Sequence, residues 1–98
     1  MAHPRHKLDE AFSTSVRLSM MAALSEDIEL DFGGLRELLE ADDSVLSKSI
    51  SHLEKLEYVK VTKGYVGKRP RTWVRSTAKG RLAFERHVRA LRLITGEN

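Results

Sequence analysis

The side chains with the widest chemical reach in this sequence are four histidines, His3, His6, His52 and His87, set among scattered serines and carboxylates. Imidazoles hold a metal when they converge, which on a helix requires His residues four apart and elsewhere a close His or Cys partner. No such arrangement occurs. His3 and His6 fall in a polar N-terminal stretch, His52 and His87 stand far apart, and the chain has no cysteine. The spacing supports no metal site. Lack of cysteine also removes thiolate nucleophiles, sulfur-ligated clusters and disulfides, and points to a reducing compartment, the cytoplasm. No serine stands in a recognisable constellation with His and Asp, and no glycine-rich phosphate loop follows a strand, so the residues do not read as an enzyme. Asp42 and Asp43 form a carboxylate pair, but they precede an apolar periodic segment, where helix capping explains them. No cofactor is expected.

Charge is the more informative chemistry. The net +3 conceals ten carboxylates against four cations in residues 1–43, eight cations against two carboxylates in 44–76, and five against two in 77–98. A basic middle segment suits a surface that faces phosphates. With 98 residues, 41% apolar and 32% charged, the chain has the balance of one globular domain. Its longest apolar run, Met20 to Leu24, is far short of the roughly 20 residues that span a bilayer, so no membrane partner is expected.

The elements that position these charges follow from periodicity. Residues 1–8 show none and are expected to form a flexible arm, leaving 9–98 as the folded domain. Phe12, Val16, Leu18, Met20, Met21 and Leu24 are spaced for an amphipathic helix with a break near residues 13–15. Ile28, Leu30 and Phe32 alternate as a short strand, and Asp31 then caps a helix through Leu35, Leu38 and Leu39 to about Glu40. Asp42 caps the next helix, whose Leu46, Ile50 and Leu53 at i, i+4 and i+7 form its apolar stripe. The opposite face is polar and small: Ser44, Ser47, Lys48, Ser51 and Lys55, with Val45 and His52 at its margins. Residues 58–63 and 72–76 alternate as a hairpin whose tip, 63–71, has two glycines and carries Lys63, Lys68, Arg69 and Arg71. Trp73 is expected to pack beneath that hairpin. Thr77 caps a last helix to about Ile94, with Leu82, Phe84, Val88, Leu91 and Ile94 apolar.

Short helix, turn, short helix and basic hairpin is the order of a winged helix-turn-helix, a mainly α fold with a small β-sheet. Particular strings strengthen the match: Asp31-Phe32-x-x-Leu35, Leu46-Ser47-x-x-Ile50-x-x-Leu53-Glu54-x-x-x-Tyr58-Val59, Val66-Gly67-Lys68-Arg69-Pro70-Arg71-Thr72-Trp73 and Thr77-x-x-Gly80-Arg81. Over about residues 13 to 92 they resemble the small winged-helix transcriptional regulators related to the MarR and ArsR families.

That resemblance implies a homodimer held by the terminal helices, with Phe12, Val16, Phe84, Val88 and Leu91 at the interface and residues 77–94 as the dimerisation helix. It implies double-stranded DNA as partner. The recognition helix would be residues 43–55, with Ser44, Val45, Ser47, Lys48, Ser51 and His52 in the major groove. Lys63, Lys68, Arg69 and Arg71 would lie on the backbone or minor groove. Relatives also bind small molecules between the dimer helix and the DNA-binding lobe, so an effector is a further implied partner, though no residue here identifies it. The apolar stripe of residues 78–94 would equally suit a winged-helix protein-interaction module without specific DNA binding. Three departures from the family pattern stand out. Glu57 replaces a glycine before Tyr58-Val59, which requires another turn geometry or a strained residue. Ser76 replaces a leucine and thins the core beneath the hairpin, and residues 40–45 lack the usual glycine-bearing turn.

Overall fold

A computed structural model describes residues 2–26 and 28–97. Met1 and Asn98, the outer ends of the expected arm and domain, lie outside the described residues. Four helices are arranged around a three-stranded sheet: α1 (Ser15–Ala23), β1 (Glu29–Asp31), α2 (Phe32–Leu39), α3 (Asp43–Lys55), β2 (Val59–Val66), β3 (Arg69–Ser76) and α4 (Ala78–Thr95). Each helix starts at a side-chain cap that satisfies an orphan backbone N–H. Thr14 accepts from the Arg17 N–H, Asp31 from Gly34, Asp42 from Val45 and Thr77 from Gly80.

The sheet is antiparallel, with β3 at its centre between β1 and β2. Leu30 and Val61 both pair with Val74 in register, which puts three apolar side chains on the core face of neighbouring strands. Val74 joins Met20, Met21, Leu24, Leu35, Leu46 and Leu53 as fully buried side chains. Each contributes about 1.5–3 kcal/mol by leaving water. The expected stripe on α3 is therefore core, and it turns the polar face of that helix outward.

Three expectations need correction. The N-terminal arm is a one-turn 3-10 helix, Pro4–Lys7, packed against α4, with His3 capping it through the Arg5 N–H. A single 3-10 turn leaves no periodic signature, and Pro4 starts it because its missing N–H costs nothing there. A second 3-10 turn, Glu10–Phe12, fills the expected break before α1, and Asp9 caps it through Ala11. Phe12, expected on a dimer surface, is only 3% exposed and packs against Tyr58, Phe84 and His87 with ring centroids 5.3–5.6 Å apart. Finally, the hairpin strands run to Val66 and Arg69, so the tip is only Gly67-Lys68. Gly67 has φ +63° at the first turn position, the requirement of a two-residue type II′ hairpin.

Ser76 does more than thin the core. Its buried hydroxyl donates to the Leu24 carbonyl at 2.6 Å and accepts from Arg81 at 3.1 Å, tying the end of α1 to the sheet and α4. A polar clasp occupies the place of an apolar contact.

Candidate nucleic-acid interface

The outward face of α3 begins with its N-terminus. Asp42 accepts from Val45 at 2.8 Å, while Asp43 in the first turn pairs with Arg36 of α2 at 3.1 Å. That pair partly neutralises a carboxylate which would otherwise repel an approaching phosphate. The turn between α2 and α3 is made without glycine: Glu40 adopts the left-handed conformation, φ 52°. Beyond the cap, Ser44, Val45, Ser47, Lys48, Ser51 and His52 are all exposed. Ser47, Lys48, Ser51 and His52 share one open hollow of about 330 Å³ with Lys55. Val45, Lys48 and His52 also border a second hollow toward Thr14, Val16 and Arg17 at the start of α1. Ser44 lines neither. A helix of 13 residues is about 20 Å long, and its hydroxymethyl side chains leave room for close approach to another surface.

Behind this helix the chain reverses by a Schellman turn, with Tyr58 N–H bonded to the Leu53 carbonyl and Glu57 N–H to Glu54, each at 2.9 Å. Glu57 sits there with φ 62°, so the missing glycine is met by a strained residue and the geometry is unchanged. The turn is fixed from outside. Thr77 Oγ1 donates to the Glu57 carbonyl at 2.6 Å and Thr77 N–H to the Tyr58 carbonyl at 3.0 Å. Gly80 lies so close that a Cβ there would stand 2.1 Å from the Tyr58 oxygen. The Thr77-x-x-Gly80 string is thus the joint that seats α4 on the end of α3.

On the hairpin, Lys63, Lys68 and Arg69 are exposed and have no ion-pair partner among the described residues. Arg71 differs. Its Nε lies 3.6 Å from Asp31, the cap of α2, so this cation is shared with a carboxylate at the end of β1, the strand on the other side of β3. Trp73 is half-buried and Gly64 rests against its ring, which gives it the packing role expected. At the tip Tyr65 is 73% exposed. Neither the Arg36–Asp43 pair nor the Arg71–Asp31 pair has a signal in the sequence, because each joins residues whose proximity depends on the tertiary fold.

The remaining expected positions lie elsewhere. Val88 and Leu91 are half-buried on α4 beside Phe84, whereas Val16 faces the α3 side. Among the described residues no group of three His, Cys, Asp or Glu side chains could hold a metal, and no helix is long and apolar enough to cross a membrane.

This arrangement has counterparts. An uncharacterized protein of Methanocaldococcus jannaschii is 30% identical over 77 residues, covering 79% of this chain and 84% of that protein. The structure of a transcriptional regulator homologue protein from Pyrococcus horikoshii superposes with a TM-score of 0.86 at 25% identity, over 98% of this chain and 96% of that one. A MarR-family transcriptional regulator from Silicibacter pomeroyi shares the fold at a TM-score of 0.66 and 21% identity, over 92% of this chain, which spans 62% of that longer protein. The family pattern described as a winged helix DNA-binding domain matches residues 16–95, the whole stretch from α1 through α4, so the chain belongs to that family of DNA-binding domains and not to a family of enzymes.

Proposed function

We propose that the protein is a homodimeric, sequence-specific regulator that reads double-stranded DNA with α3 in the major groove and the β2–β3 hairpin on the backbone or minor groove. The observation that carries this reading is the outward face of α3, where Ser44, Ser47, Lys48, Ser51 and His52 stand exposed over the buried stripe of Leu46, Ile50 and Leu53. Hydroxyls, an ammonium and an imidazole supply donors and acceptors for base edges. Lys63, Lys68 and Arg69 supply sequence-independent attraction to phosphates.

Selection from randomised duplex DNA at two salt concentrations tests it. A palindromic motif is expected, with half-sites about one helical turn apart. If a dimer neutralises on the order of 8 phosphates, log K falls with log[salt] at a slope of about −7. Absence of any enriched motif, together with a protein partner captured independently of DNA, would favour the interaction-module reading of α4 instead.

A further inference from the structure

His87 is the one histidine outside the DNA-reading face that is buried, at 5% exposure, and it does not stand alone. Its Nδ1 accepts the backbone N–H of Asp9 at 2.9 Å, a contact spanning 78 residues of sequence. Because Nδ1 accepts, the neutral ring carries its proton on Nε2. Asp9 is in turn a junction. One carboxylate oxygen caps the 3-10 turn before α1 through Ala11, and the other accepts the Tyr58 hydroxyl at 2.6 Å. Tyr58 is the residue that closes the Schellman turn of α3. Phe12 lies between the Tyr58 and His87 rings. Side chains from the N-terminal segment, the end of α3 and α4 are thereby linked in one chain of hydrogen bonds.

We propose that His87 and Asp9 are positioning residues for α3, acting through Tyr58 as a proton-operated latch: neutral His87 holds the segment 9–12 and the end of α3 in place, and protonated His87 releases them. The link to DNA rests on the function proposed above; the latch itself does not. A protonated ring offers no lone pair at Nδ1, so the Asp9 amide loses its acceptor. The new imidazolium also attracts the Asp9 carboxylate, in competition with the Tyr58 hydroxyl.

The surroundings set the direction. Burial pushes the His87 pKa below its ordinary value, and the negative charge of Asp9 offsets part of that shift. Glu10 lines the same hollow of about 420 Å³ with Asp9 and His87, and Arg17 of α1 reaches the Ala11 carbonyl at 2.7 Å. Lys7, Arg86 and Arg89 line a separate groove along α4. Tyr58 is pushed up to about 12 by burial, then by its hydrogen bond to Asp9 and by that carboxylate's charge, so it remains a donor throughout. A base whose folded pKa is depressed binds fewer protons folded than unfolded. Its stabilising effect is complete above the unfolded value near 6.5 and is lost as pH falls toward the folded value.

Nuclear magnetic resonance without DNA tests the latch first. The titration of His87 and the hydrogen-exchange protection of the Asp9 amide are expected to share one midpoint in the wild type. In His87→Asn an oxygen replaces Nδ1 as acceptor but cannot titrate, so Asp9 protection should stay flat over the same range. Tyr58→Phe, which keeps the ring stack, should leave the Asp9 response and remove that of the α3 end, and it serves if His87→Asn does not fold. Asp9 protection indifferent to His87 titration overturns the latch. On a fixed duplex between about pH 7.5 and 5.5, wild-type affinity should fall several-fold more than that of His87→Asn, which has no group at this position to titrate. Equal falls, with the Asp9 response intact, would overturn the coupling to α3. Failure of both proteins to bind any duplex at the higher pH would overturn the DNA reading and leave the latch standing.

Discussion

Glu57 stands where a helix C-terminal turn favours glycine, and φ 62° there forces its Cβ toward the neighbouring carbonyl. The turn persists because Thr77, Tyr58 and Gly80 hold both of its sides. Glu57→Gly should relieve the strain and raise stability by about 1 kcal/mol, seen as a higher urea midpoint with an unchanged slope. The exposed contact with Lys79, 3.7 Å long, has little to lose. Glu57→Ala is the control, since alanine has the same Cβ and should give no such gain. Gly80→Ala is the opposite case. Its Cβ would meet backbone and not a side chain that can rotate away, so α4 must shift, and a loss of about 3 kcal/mol is expected in the same assay. At this scale the sequence was informative wherever a local rule applied: Asp31, Asp42 and Thr77 are caps as their positions implied. It was silent on the Asp9–His87 contact, because no local rule links residues 78 apart in the chain.

Between elements, the proposed function divides the labour between α3 and the hairpin. Cations that touch only phosphate attract every sequence alike, whereas donors on a helix in a groove discriminate bases. Lys68→Ala or Arg69→Ala should therefore weaken binding to matched and unmatched duplexes equally and reduce the salt slope by about 1. Ser47→Ala and Lys48→Ala should change the preferred sequence in a selection. Arg71 is a distinct case in the hairpin. Because Asp31 already shares its charge, Arg71→Ala should cost less nonspecific affinity than Arg69→Ala, measured by fluorescence anisotropy at one salt concentration. Equal losses from the two would mean that DNA displaces Arg71 from Asp31. The apolar period of α3 and the β-formers of the hairpin were legible because each repeats. Strand length was not: Val66 and Arg69 pair across a two-residue turn whose exposed polar surroundings look like a loop. The 3-10 turn at residues 4–7 was also hidden, since one turn of helix offers no repeat to detect.

The molecule as a whole is elongated, 56 Å by 24 Å by 21 Å, and α4 has two kinds of apolar exposure. Leu82 and Leu93, 48% and 50% exposed, fall eleven residues apart on nearly the same line of the helix, the line that also carries Arg86 and Arg89. Val88 and Leu91, half-buried, continue the edge of the core from Phe84. With Phe12 buried in the monomer and Val16 turned toward α3, the proposed dimer contact contracts to this second stripe on α4. Val88→Glu should convert a dimer to a monomer in sedimentation velocity while leaving the far-ultraviolet circular dichroism unchanged. A charge at Leu82, on the other line, should leave the dimer intact. If two α3 helices act together on one site, separating them removes the effective concentration that one half-site lends the other. Affinity for a palindromic duplex should then fall about 100-fold or more, while binding to a half-site changes little. A Val88→Glu protein that stays dimeric would move the interface to the Leu82–Leu93 line, and one that becomes monomeric yet binds the palindrome as before would remove dimerisation from the account of DNA recognition.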